Sequence, residues 1–368
     1  MLTHRERFFK AVNHETPDRP PLSGGFRPEI RQTLLDHFDC DWQSVTEKLG
    51  LQQNGGAGFG IDRSEFYERD DVVVLEGEHP YAGSRMILHE DGTFTDPWGI
   101  TWAVGSNGKY NEHIRGPLQE ATCVTDLEKY AWPEPEDVIN PENAAENVAQ
   151  AIADGLPTVA GTSNPYKIAW QLRGMENCLC DYLINPDILN FVYDKLYAVV
   201  KQQAVYAAQA GIDMFTLTGD VAMQDRMIMS ADKWREFDKP RLAAVIEAAR
   251  AVKPDMLFFF HTDGNHTEII PDQIEIGFNV LDPMQPECMD LDDIKKRWGD
   301  QITMRGTIGN QSTLPFGTVQ DVVDKVKHNI DVLGANGGLI LGPSNMVSFD
   351  VPVENIVALY ETALTYRQ

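Results

Sequence analysis

Six short apolar runs, PTVAGTS, DMFTLTGD, DMLFFFHTDG, FNVLDPM, QITMRGTIG and GGLILGPSN, recur between Pro157 and Asn345. They constrain the fold more than any other feature. Most of the gaps between them carry a helical pattern, as in SADKWREFDKPRLAAVIEAARAV and TVQDVVDKVKHNIDVLG. A strand that is apolar throughout is buried on both faces, and strand followed by helix, repeated, specifies a parallel sheet covered by helices. Two further strands are expected near residues 20–24 and 58–62, giving the eight of an α/β (β/α)8 TIM barrel. A doubly wound sheet would carry a glycine-rich phosphate loop after its first strand, and none is present.

The N-terminal third breaks this pattern. A helix is expected from Thr3 to Val12 and another over RPEIRQTLLDHF, separated by the helix-breaking HETPDRPPLSGG. From Asp71 to Glu112 the apolar period becomes two, with Asp91-Gly92 marking a tight turn. This predicts a β-hairpin inserted at about 71–112 into a single barrel domain spanning 1–368, covering one mouth of the fold.

Composition narrows the partners. The chain has 368 residues, 42% of them hydrophobic, enough for a large core, and a formal charge of −25. No basic run offsets that field, which excludes a nucleic-acid backbone and disfavours anionic lipid. The start lacks a secretory pattern and no stretch approaches 18 apolar residues, so a soluble cytoplasmic protein is expected. The five cysteines, Cys40, Cys123, Cys178, Cys180 and Cys288, are odd in number and irregularly spaced, as reduced thiols would be.

Polar residues gather where the apolar runs end, the place from which barrel active sites are assembled. His261 and Asp263 stand two apart at the end of the most apolar run, so an extended chain points both into one cavity. Imidazole nitrogen with carboxylate oxygen suits zinc. Equally, Asp263 can orient His261 as a base, or cap the next helix. A third metal ligand is sought in Glu287 or Cys288, one strand later, or in Asp220, which closes TLTGD and can alternatively hold substrate. Gln224 is placed near the same cavity, and Ser344 and Asn345 at the last strand end. Arg27 and Arg31 stand four apart in FRPEIRQ and suit substrate carboxylates. Arg305 either holds an anion or stabilises a buried acid. Tyr166 and Trp170 after GTSNP are read as pocket walls or as ordinary helix–barrel packing, with Trp102 a further aromatic for the cavity; Asp62 in FGIDRSE is another strand-end acid. His266 is expected to start a helix in solvent.

Together AVNHETPDRPP, QLRGMENCLCDYLINPD, HTDGN, GTIGNQSTLPFGTVQDVVDKV and SFDVPVENIVALYETA resemble the uroporphyrinogen decarboxylase superfamily over nearly the whole chain. The resemblance implies a (β/α)8 barrel, a homodimer, and either decarboxylation or methyl transfer involving a corrinoid protein. The decarboxylase branch has an RQAGRY segment where this chain has SGGFRPEIRQ, and a histidine where it has LILGPSNMV. In the thiol-methylating branch zinc is held by His-x-Cys and a later cysteine. Here His261 matches the histidine, Asp263 replaces the first cysteine, and the second would fall in GPSN. An oxygen-rich ligand set makes a harder Lewis acid. The resemblance therefore implies an O-demethylating methyltransferase, with catalytic Asp220, His261 and Arg305. Its metal would be held by His261, Asp263 and Glu287. Substrate would meet Arg27, Asp62, Tyr166, Trp170, Gln224 and Asn345. Its cofactors would be zinc and cobalamin carried by a partner corrinoid protein. The alternatives are a metal-free decarboxylase using Asp220, Arg27 and Arg305, and a non-catalytic binding subunit.

Overall fold

The computed structural model describes residues 2–76, 83–106, 108 and 110–366. The chain divides into two compact units, one of residues 1–58, 141–162 and 204–368, the other of residues 59–140 and 163–203. Among the described residues the strands form two sheets. The antiparallel sheet is a meander of β1 (Val72–Val74), β2 (Arg85–Leu88), β3 (Phe94–Thr95), β4 (Thr101–Val104) and β5 (Asn111–Arg115). The other sheet has six strands, β6 (Val159–Ser163), β7 (Met214–Thr218), β8 (Leu257–His261), β9 (Val280–Asp282), β10 (Thr303–Arg305) and β11 (Leu339–Ile340), in consecutive order. From β7 through β11 each neighbouring pair is parallel.

All six apolar runs are strands of this sheet. The two remaining strand expectations are corrected. Leu22 makes isolated parallel bridges to Leu341 and Leu51, and Gly55 makes one to Thr158. Residues 58–62 instead bridge antiparallel, through Ile61 to Val138, in the second unit. The expected hairpin is larger than predicted: β2 and β3 do pair across the turn at Gly92, but within a sheet of five strands. Part of its predicted span, residues 77–82, 107 and 109, lies outside the described residues.

Period two sorts the parallel sheet into faces. Along β8, Leu257 and Phe259 join Met214, Val280 and Ile340 in one apolar cluster with Phe8 and Val12 of the helix His4–Val12. On the opposite face Phe258 and Phe260 pack edge-on to Phe278. The helix is started by Thr3, whose hydroxyl accepts the Glu6 N–H at 3.1 Å while the Glu6 carboxylate accepts the Thr3 N–H at 2.8 Å. One turn on, Arg5 donates to Asp213, 2% exposed at the head of β7, through an ion pair that includes a 2.8 Å bond. Asp213 also accepts the Thr158 N–H at 2.8 Å beside β6. One buried carboxylate thus ties the first helix to two strand beginnings.

In the second unit, Arg173 and Asp181 form a buried ion pair at 2.8 Å, and Tyr166, Tyr182, Tyr193 and Tyr197 pack in sequence. All five cysteines are free, with Cys178 buried and Cys180 exposed. Among the described residues no helix is long and apolar enough to cross a membrane.

Removing the Asp213 carboxylate orphans a guanidinium and a buried N–H. Asp213→Ala should therefore cost about 3 kcal/mol in urea denaturation. Leu2→Ala, which touches none of these groups, serves as the control.

Candidate functional site

The alternation that buries Phe259 carries His261 to the same face one layer further along the strand. Register aligns it with Thr218 on β7 and Asp282 on β9, while Arg305 is the last residue of β10. Asp282 is buried and accepts from both neighbours: the His261 Nδ1–H donates to Oδ2 at 2.6 Å, and Arg305 donates to Oδ1. Because a carboxylate only accepts, this bond fixes the tautomer and leaves Nε2 with a lone pair. Burial pushes the Asp282 carboxyl up, but the Arg305 charge and the His261 hydrogen bond outweigh it and hold the group below its usual range. Burial likewise pulls His261 down, yet the bond to Asp282 and the charges of Asp282, Asp263 and Asp220 raise it above an ordinary histidine.

Past β8 the chain turns at Gly264, where φ is +90° and a Cβ would stand 2.3 Å from the Met223 carbonyl oxygen. Only glycine fits there. The turn brings Asp263 beside Asp220, whose Oδ1 accepts the Asp263 N–H at 3.0 Å, and Asn345 donates its amide to Asp263 Oδ2 at 2.8 Å. Asp220, His261 and Asp263 each offer one ligand atom, and these atoms lie within 4.8 Å of one another. Burial first, then the Asp220 charge, pushes the Asp263 carboxyl up to about 6. Two carboxylates and an imidazole this close can hold a divalent cation or share a proton.

A cavity of about 220 Å³ opens beside the cluster and is lined by both acids together with Gln224, Gln285, Asn310, Gln311, Ser344 and Asn345. Gln224 donates to Gln311 at 3.1 Å, and the Asn310 main-chain N–H donates to Ser344 Oγ at 3.1 Å.

Of the residues expected at a site, Asp220, Gln224, His261, Asp263, Ser344 and Asn345 are brought together, and Arg305 reaches them through Asp282. Glu287 lies outside the ligand group: its Oε1 accepts the Gln311 N–H at 3.1 Å and the Ser312 hydroxyl at 2.6 Å. Cys288 is a neutral thiol, pushed up to about 11 by burial and by the charges of Glu287 and Asp263. Arg27 begins the helix Pro28–Phe38, its N–H bonded to the Val347 carbonyl at 3.0 Å, and Arg31 lies 4.4 Å over the Trp42 ring.

The expectations at Asp62, Tyr166, Trp170 and Trp102 fall in the second unit. Asp62 accepts the Ser64 N–H at 2.8 Å and starts a short helix. Tyr166 is fully buried with its hydroxyl on Met175, Trp170 packs edge-on to His113, and Trp102 donates to Asp96 at 3.0 Å. His266 does precede a helical turn, but it is buried rather than solvated, and burial pushes it down to about 4. The sequence reading assigned no role to Asp282, Gln285, Asn310 or Gln311. An acid closing FNVLD, one strand after the histidine, was the available signal for Asp282; the three amides carried none.

Residues 92–366 match the uroporphyrinogen decarboxylase (URO-D) family. A uroporphyrinogen decarboxylase of Alcanivorax borkumensis is 20% identical, covering 99% of this chain and 98% of its own. Among solved structures, a methyltransferase from Methanosarcina mazei superposes with a TM-score of 0.63 at 18% identity, covering 99% of this chain and 98% of that one, a likeness of fold. The family match runs from β3 to the C-terminal helix and takes in every strand-end group described above; the chain belongs to the uroporphyrinogen decarboxylase family.

Proposed function

We propose that this protein is a methyltransferase that takes a methyl group from a small methoxylated compound. The acceptor would be cobalt(I) of a corrinoid on a separate protein, and a zinc ion would be held by Asp220, His261 and Asp263. The observation that carries the reading is the convergence of three ligand-capable atoms within 4.8 Å, one of them on a histidine whose other nitrogen is already engaged by a buried carboxylate. That carboxylate–histidine arrangement is the usual support of a metal ligand. The donor set fits a divalent cation for a second reason: Asp220 and Asp263 repel each other, and the charge of a cation offsets that repulsion. The isolated bridges at Leu22, Leu51 and Gly55 support completing the six strands to an eight-stranded barrel, with the cluster at its C-terminal mouth.

The chain's own part in the reaction is positional and electrostatic. Asp282, neutralised by Arg305, fixes the His261 ring and makes it a stronger donor at Nε2. Asn345 holds one oxygen of Asp263, so its other oxygen is the one available to the site. When bound, zinc would supply Lewis acidity toward the ether oxygen that leaves. Glu287, bonded to the segment around Gln311, fixes the wall that faces Gln224.

A metal-free lyase is the second reading. It is favoured by Asp263, whose carboxyl, raised to about 6, can carry a proton close to neutrality. Arg305 weighs against it, being committed to Asp282 rather than free for a substrate carboxylate.

Metal content separates the two. Protein reconstituted with zinc and dialysed should retain one equivalent by mass spectrometry of the metal. His261→Ala should lose it with the far-ultraviolet circular dichroism unchanged. Asp282→Asn should weaken it about 10- to 100-fold. Wild-type protein that keeps no zinc sinks the metal reading and leaves the lyase.

Zinc must displace protons from His261 and Asp263, both raised. Affinity should therefore be full above their folded values and fall as the pH drops through about 6. Calorimetric titrations at pH 5 and pH 8 read this directly. Asp263→Asn removes a repelling charge from the metal-free protein. It should raise the melting temperature at pH 8, where the wild-type group is ionised, and lose that advantage at pH 4.

A further inference from the structure

The lining of the cavity beside the cluster restricts what can enter it. Among the described residues it contains two acids, Asp220 and Asp263, and no lysine, arginine or histidine. An anionic substrate would find no cationic side chain there. Among the same residues it contains no aromatic ring, and Met223 is its one large apolar side chain. A flat aromatic ether would find no stacking surface and would leave the amides without partners. At about 220 Å³ the cavity lies below the usual range for drug-sized ligands.

What the walls do offer is carboxamides. Asn310 spends its NH2 on the carbonyls of Asn345 and Met346, at 2.9 and 3.0 Å, and its Oδ1 is buried without a partner. Gln285 spends its carbonyl on the Gly264 N–H at 3.2 Å, which leaves an NH2. Gln224 gives its NH2 to the Gln311 carbonyl, which leaves one carbonyl oxygen and one NH2 on that pair. The wall therefore presents both acceptors and donors. An alcohol hydroxyl both donates and accepts, so adjacent hydroxyls satisfy such a wall in a way that neither an ammonium nor a carboxylate can. Given a divalent ion in the cluster, the two carboxylate charges and the ion sum to zero, which removes the attraction for a cationic substrate.

We propose that the methyl donor is a small neutral polyol methyl ether, of the methyl glycoside or mono-O-methyl inositol class. This deepens the methyltransferase reading and rests on it for the role of the methoxy group. In the transfer the methyl–oxygen bond breaks with its electron pair remaining on oxygen. Cobalt(I) of the acceptor supplies the pair for the new bond to carbon, and a proton from water completes the free hydroxyl of the departing polyol.

Calorimetry on the zinc-loaded protein tests the class without turnover. The probes are a panel of methyl hexopyranosides and mono-O-methyl inositols, with 4-methoxybenzoate and tetramethylammonium as the competing chemistries. At least one polyol ether should bind and the other two should not. Gln224→Leu, at an exposed wall position that leaves the ion's ligands intact, should weaken that binding about tenfold, the loss of roughly one net hydrogen bond. Tighter binding of 4-methoxybenzoate or tetramethylammonium, silence from every polyol ether, or an unchanged affinity in Gln224→Leu would each overturn the assignment. Zinc content, measured on the same samples, keeps the two ideas apart. Retained zinc with methoxybenzoate bound removes the substrate class alone, and polyol binding without zinc removes the metal alone.

Discussion

A carboxylate buried as completely as Asp282 is tolerable only when its charge is matched, and the top layer of the parallel sheet is arranged around that requirement. Arg305 supplies the opposite charge from the next strand and His261 supplies a hydrogen bond from the preceding one. Taking away either partner would leave a charge in a low-dielectric setting, a change that costs several kcal/mol in comparable buried pairs. Three adjacent strand ends, those of β8, β9 and β10, are thereby locked in register by one acid. The imidazole is held in one tautomer, and the arginine cannot serve as an anion clamp while it is engaged.

The layer below explains why this polar arrangement sits where it does. Phe259, Val280 and Ile340 fill the same face one residue pair down, packed with Phe8 and Val12 from the first helix. That helix is fastened by Arg5 to Asp213 at the opposite ends of the strands. Apolar filling excludes water from the strand middles, and the backbone leaves its ladder only past His261, Asp282 and Arg305. Side chains at those positions stand above the dry core, and His261 among them meets the cavity acids Asp220 and Asp263. At the edge of such a core the Asp263 carboxyl is raised first by its burial and then by the Asp220 charge, which is felt more strongly there than in water.

Much of this was legible in sequence order because burial leaves a local signature. An apolar run that ends in glycine, proline or an acid, as LFFFHTDG and VLDP do, identifies a strand and its C-terminal end without any tertiary information. Residues 20–24 and 51–55 left a weaker trace, since a segment that makes one bridge needs no apolar run. The five-stranded sheet was read as a single hairpin because strands as short as Phe94–Thr95 carry too little alternation to be counted. Glu287 lies outside the cluster for a different reason. Sequence places it one strand after the histidine, but its direction is set by the N–H of Gln311 and the hydroxyl of Ser312, which lie more than twenty residues on. The carboxamides of the cavity wall were invisible because isolated Asn and Gln residues in loops look alike wherever they point.

The absence of a thiolate at the cluster bears on the chemistry in its own right. Cys288 is the cysteine whose thiol senses the Asp263 charge, and burial together with Glu287 pushes it up to about 11. At neutral pH it is a thiol, and a thiol is a poor metal ligand. The groups ready to bind are an imidazole and two carboxylates, and they would leave a cation electron-poor compared with a sulfur-ligated one. Such a centre favours an oxygen ligand over a thiolate that must stay nucleophilic. The amides of the neighbouring wall likewise offer partners for oxygen, so the proposed metal and the proposed substrate rest on separate observations.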